Sequence, residues 1–195
     1  MIISAIIFGV IAYLMGSLSS AILICKAFKL PDPRTEGSMN PGATNVLRIG
    51  GRLPAALTLI SDILKGYIPV MVAHLFGVEG FVLGLIALMT FLGHLYPIFF
   101  KFQGGKGVAT ATGAILALAP MVGVAAIIIW LLVAIIFRYS SLAALIAVIT
   151  TPVLMLFFGD SIYLLPTLVI TVGLVWKHWG NIQRLRFGEE SKIKI

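Results

Sequence analysis

Three short polar stretches of this 195-residue chain carry residue types that can do chemistry. The first reads Gly37-Ser38-Met39-Asn40-Pro41-Gly42-Ala43-Thr44-Asn45, followed by Arg48. Glycines reach backbone conformations closed to other residues and leave N–H groups open to an anion. Ser38, Asn40, Thr44 and Asn45 add short polar groups, and the Arg48 guanidinium is a fork that matches phosphate. The same residues also make an ordinary turn-rich loop. The second stretch runs from Gly93-His94 through Pro97 and Lys101 to Gly104-Gly105-Lys106-Gly107. It is not a Walker loop, since Lys106 is followed by Gly rather than Ser or Thr. A glycine loop entering a helix still gathers N–H groups at the helix's positive end. Two boundary lysines explain Lys101 and Lys106 but not three glycines. The third stretch holds Lys177-His178, Asn181, Arg184-Leu185 and Gly188-Glu189. In a helix His178 and Asn181 share a face, and an imidazole can take a proton near neutral pH. The competing reading is an interfacial tail anchored by Trp176 and Trp179.

Other chemistries are poorly signalled. The histidines are His74, His94 and His178, with no His-Glu-x-x-His and a single cysteine, Cys25, so neither a metal site nor any cofactor is expected. Ser38 does not sit in G-x-S-x-G, so a covalent serine route lacks its signature. Asp62 and Lys65 are i, i+3 inside an apolar run, as a bundle-facing ion pair or a functional intramembrane site.

Composition says what must position these stretches. The chain is 60% hydrophobic and only 11% charged. An average soluble domain has about 25% charged residues, so a soluble fold is excluded and an integral membrane protein remains. The length accommodates one domain, taken as residues 1–195. A membrane helix takes about 20 mostly apolar residues, and such runs lie at 2–24, 53–76, 81–100, 108–137, 141–158 and 162–176. The first has no basic leader or clear cleavage site and is read as a retained span. Residues 25–52, rich in Pro and Gly, read as turns rather than helix.

The run 108–137 is too long for one span and too short for two full ones, and charge arbitrates. With a turn at Pro120 there are seven spans. Thirteen of the fourteen basic residues then share one side: Lys26, Lys29, Arg34, Arg48, Arg52, Lys101, Lys106, Arg138, Lys177, Arg184, Arg186, Lys192 and Lys194. The other side has Glu79 and Asp160 and no Lys or Arg. Basic loops face the cytoplasm. The expectation is therefore an all-α protein of seven transmembrane helices, N-terminus outside and C-terminus cytoplasmic. The net charge of +7 is then an orientation signal, with a share for anions, and not a nucleic-acid patch.

Taken together and in order, the three stretches resemble the bacterial acyl-phosphate-dependent glycerol-3-phosphate acyltransferases, the PlsY family. The resemblance runs from Gly16-Ser17 to Glu189. It implies transfer of a fatty acyl group from acyl phosphate to the 1-hydroxyl of glycerol 3-phosphate, giving lysophosphatidic acid and phosphate. It also implies a bacterial inner-membrane enzyme of phospholipid synthesis. Its partners would be the two substrates, membrane lipids, and the enzymes that make acyl phosphate and acylate the product. Carried over, Ser38 and Arg48 are essential, Gly104, Gly105 and Gly107 lie at glycerol 3-phosphate, and His178, Asn181 and Glu189 serve activity or hold the site. Asn40, Asn45 and His94 support it. The proton acceptor is His178 or the donor's own phosphate. Ser38, Asn181 or a loop N–H holds the oxyanion, and Arg48 with Lys101 or Lys106 holds phosphate. The rival is a small transporter of phosphorylated solutes, which Asp62 and Lys65 would suit. Against it stand the one-sided polar residues and the lack of an inverted repeat.

Overall fold

The computed structural model describes residues 2–193, so Lys194 lies outside the described residues. The regular structure of those residues is helical: α1 (Ile2–Gly16), α2 (Ser20–Ala27), α3 (Ala43–Gly50), α4 (Arg52–Leu75), α5 (Gly80–Leu95), α6 (Val108–Leu118), α7 (Pro120–Phe137), α8 (Ser140–Phe158), α9 (Leu164–Lys177) and α10 (Trp179–Arg186). Short 3-10 turns stand at Ile98–Phe100 and Ser161–Tyr163. Four helices (α4, α5, α7 and α8) are long and apolar enough to cross a membrane alone. Counting α1 with α2 and α9 with α10 as bent spans gives up to six. The chain is a multi-pass membrane protein.

Three local expectations change. The first apolar run is not one straight helix, because α1 and α2 meet at 42° across Ser17–Ser19. Residues 25–52 are not all turn: Ala43–Gly50 forms α3 with Asn45 and Val46 buried. The run 108–137 does break, since α6 ends at Leu118 and Pro120 opens α7. Proline fits the first helical turn, where no N–H partner is needed, so this residue both ends one helix and starts the next.

The helices pack through small residues, as helices in lipid do when van der Waals contact replaces the hydrophobic drive. α4 lies along α6 and α1 along α5. A Cβ at Gly66 of α4 would run into the Thr110 carbonyl, and one at Gly113 of α6 into the Ile63 carbonyl. The two glycines thus let the two backbones touch. The core is built from Ala12, Val70, Ala73, Ile86, Ala87, Ala114, Val122 and Met155.

The α1–α2 break frees a carbonyl, which in an apolar setting needs a donor. Lys65 supplies it: its Nζ donates to the Leu18 carbonyl at 2.7 Å and lies 2.8 Å from Asp62 Oδ1. Both side chains are buried. Asp62 is therefore paired along the helix, and Lys65 ties α4 to the kink.

Candidate active site

The loop before α3, the glycine loop before α6 and the α9–α10 corner meet at one end of a cavity of about 730 Å³. Ser38, Asn40, Asn45, Arg48, His94, Lys106, Gly107, His178, Asn181 and Glu189 all line it. Its deeper wall, formed by α4, α6, α7, α8 and α9, is mostly apolar, with Thr151 and Thr167 among its side chains. Leu59 of α4 and Leu131 of α7 line it too, yet they stay 45% and 46% exposed. The flank between those helices therefore opens to the outside of the bundle.

Each loop is held from below. The Asn45 side chain accepts from the Ser38 N–H at 2.8 Å and donates to the carbonyls of Pro33 and Glu36 at 2.9 Å each. It is the clamp of the first motif. The His94 ring sits beneath the glycine loop, with Nδ1 3.1 Å from Thr110 Oγ1 and 3.7 Å from Asp62 Oδ1. A Cβ on Gly105 would press into that ring and into the Pro41 carbonyl, 2.8 Å away. The glycine here is a matter of close packing: only without a side chain do the first and second motifs and His94 meet.

The third motif turns on His178 and Asn181. His178 Nδ1 lies 2.8 Å from the Leu174 carbonyl. A carbonyl only accepts, so Nδ1 carries the proton and Nε2 keeps its lone pair. Asn181 is held at both ends: its Oδ1 accepts from the Lys106 ammonium, and its Nδ2 donates to Glu190 Oε1 at 2.7 Å. Glu190 also accepts from Ser141 Oγ at 2.6 Å and Arg184 Nε at 2.8 Å. Burial pushes the Glu190 carboxyl up, but the three donors together hold it below the ordinary value. Burial brings the Lys106 ammonium down to about 8. Arg48 Nη2 donates to Ser191 Oγ at 2.7 Å, so the tail after α10 crosses the cavity mouth.

Not every expected residue comes to the cavity. Lys101 is exposed and lies in a separate shallow pocket with Asp32, Arg34 and Gln103. Gly104 and Gly105 pack against His94 and do not line the cavity. Glu189 lines it but is exposed, and Glu190 makes the hydrogen bonds. The reason is the end of α10. Gly188 takes φ 74°, and the Glu189 N–H bonds back to the Arg184 carbonyl at 2.8 Å. This helix-ending reversal turns the next residue inward. The Gly after an apolar-basic helix was the available signal for Glu190. Ser141 and Ser140, which lies 3.1 Å from Thr44 Oγ1, had none in their local sequence.

A family model described as glycerol-3-phosphate acyltransferase matches residues 6–188. The chain belongs to the glycerol-3-phosphate acyltransferase family. A glycerol-3-phosphate acyltransferase of Coxiella burnetii is 50% identical over 186 residues, covering 95% of this chain and 96% of the relative. One of Francisella tularensis subsp. holarctica is 51% identical over 184 residues, 94% and 90% of the two chains. The crystal structure of PlsY (YgiH), an integral membrane glycerol 3-phosphate acyltransferase, in its glycerol 3-phosphate form superposes with a TM-score of 0.93. It shares 39% identity, with 98% of this chain and 96% of that one covered. The lysophosphatidic acid form of PlsY gives 0.90 at 37% identity. This acyltransferase family, and not a transporter, is what the three motifs belong to.

Proposed function

We propose that the cavity holds acyl phosphate with its alkyl chain in the apolar wall and its head among the motifs. There glycerol 3-phosphate attacks the carbonyl. The observation that carries this is the convergence of Arg48, Lys106, His178 and Asn181 on the polar end of one otherwise mostly apolar cavity. Two phosphates must be held close together; of the three lining cations among the described residues, Arg184 is paired with Glu190, which leaves Arg48 and Lys106 for phosphate. Phosphate is a good leaving group, so the protein's tasks are to position the hydroxyl, take its proton and stabilise the oxyanion. The hydroxyl oxygen bonds to the acyl carbon as its proton passes to His178 Nε2. The carbon–oxygen bond to phosphate then breaks, and the departing phosphate collects that proton. Asn181, already engaged at both ends, orients Lys106 instead of facing the oxyanion. Ser38 and loop N–H groups are left for that role.

This reading includes seven spans, with α6 the short seventh, the N-terminus outside and the motifs on the cytoplasmic face of a bacterial inner membrane. The collection of the motif loops and their basic residues at one end of the bundle supports it. Partners are the two substrates, bilayer lipid and, by hand-over, the enzymes before and after this step. The test uses purified protein in detergent with labelled glycerol 3-phosphate. Labelled lipid from palmitoyl phosphate but not palmitoyl-CoA is the expected result. Product from the CoA ester alone overturns the donor assignment.

A further inference from the structure

The cavity does not run the length of the bundle. Its deepest lining residues are Ile115 on α6, Ala126 on α7, Thr151 on α8 and Thr167 on α9. All four are buried, at 4, 8, 5 and 1% exposure. One turn further on stand Leu118, Val122 and Met155, members of the packed core. From the motif ends of α7, α8 and α9 to Ala126, Thr151 and Thr167 is about 16 Å on each helix, at 1.5 Å per residue. Three helices reach one depth, so these side chains form a floor. Thr151 Oγ1 donates to the Ala147 carbonyl at 2.7 Å. The Thr167 hydroxyl has no hydrogen-bond partner among the described residues. A buried hydroxyl without a partner calls for an explanation, and Thr167 stands at the deep end of the cavity.

We propose that this floor sets the longest acyl chain the enzyme accepts, with Ala126 and Thr167 as specificity-determining residues. This rests on reading the cavity as the donor's acyl site. Carbon–carbon bonds of about 1.5 Å at tetrahedral angles advance about 1.25 Å each along an extended chain. Some ~13 bonds therefore span the channel. With the carbonyl carbon among the motifs above, a palmitoyl chain fills the depth. A stearoyl chain must buckle or leave sideways past Leu59 and Leu131.

The test assays the purified protein with glycerol 3-phosphate and acyl phosphates from decanoyl to stearoyl. Ratios of kcat/KM between donors are read within each variant, so losses of active protein cancel. Wild type should rise to palmitoyl and fall at stearoyl. Ala126→Leu should lower the palmitoyl-to-lauroyl ratio about tenfold, the weight of a methylene or two in such a pocket. Ile115→Ala should raise stearoyl relative to palmitoyl. Thr167→Val should lower KM for palmitoyl phosphate. Unchanged ratios in Ala126→Leu and Ile115→Ala overturn the proposal, as does a wild-type profile flat from lauroyl to stearoyl. The wild-type profile keeps the test decisive if a variant does not fold. Turnover of no acyl phosphate at all overturns the donor assignment itself, a different result from turnover without length dependence.

Discussion

Lys106 is the residue on which pH acts most directly. Its ammonium, held down to about 8 by burial, is charged at neutral pH and neutral above that value. If the charged form grips phosphate as proposed, kcat/KM for glycerol 3-phosphate should fall about tenfold per unit above the pKa of the free enzyme. Lys106→Arg should remove that alkaline limb in a pH–rate profile. His178→Ala should cost at least about 100-fold in kcat if the imidazole takes the proton. Full turnover with an unshifted profile would pass that role to the donor phosphate. Glu190→Gln should destabilise the fold by about 2 kcal/mol, measured by thermal unfolding in detergent, because three donors lose their charged acceptor. The Glu190 carboxyl is held below its ordinary 4.5, so its contribution is present above that value and lost as pH falls through the depressed one. Motif reading reached Ser38, Arg48, Lys106, His178 and Asn181 because polar groups beside glycines stand out in an apolar chain. It missed Glu190, since one residue of difference in a Gly-Glu-Glu run depends on how α10 ends.

At the scale of elements, one pair of helices fixes the geometry of the glycine loop. α6 begins where that loop ends, and its contact with α4 depends on Gly66 and Gly113. Gly113→Ala should push the two backbones apart and cost about 1–3 kcal/mol. A melting-temperature drop joined to a higher KM for glycerol 3-phosphate would show that the loop moved with the helix. Helix positions were legible where the signal was a long apolar run bounded by charge: α4 and α8 start and end close to the expected residues, while α5 starts close to the expected residue, at Gly80, but ends at Leu95, ahead of Pro97 and a 3-10 turn at Ile98–Phe100. Two features were not legible. The α1–α2 kink needs Lys65 from another helix to satisfy its carbonyl, and a contact 47 residues away leaves no mark in the local pattern. α3 is short, and its burial depends on the Leu30 and Ala55 surroundings that only the folded chain supplies.

For the whole molecule, the pattern of basic residues predicts which end faces the cytoplasm. A cysteine placed at Met121, an exposed residue at the α6–α7 turn, tests it once Cys25 is replaced. An impermeant maleimide should label it from outside intact cells, and labelling only in inverted vesicles would reverse the orientation. The open flank between α4 and α7 has a kinetic consequence. A donor that enters from the bilayer is met in two dimensions, so its effective concentration is its mole fraction among lipids and not its amount per volume of buffer. Adding inert detergent or lipid at constant donor and enzyme should slow turnover in proportion, while diluting the whole mixture with buffer should leave the donor's contribution unchanged. Glycerol 3-phosphate, arriving from water past Arg48 and the tail, should show the opposite dependence. One protein would then follow surface kinetics for one substrate and bulk kinetics for the other.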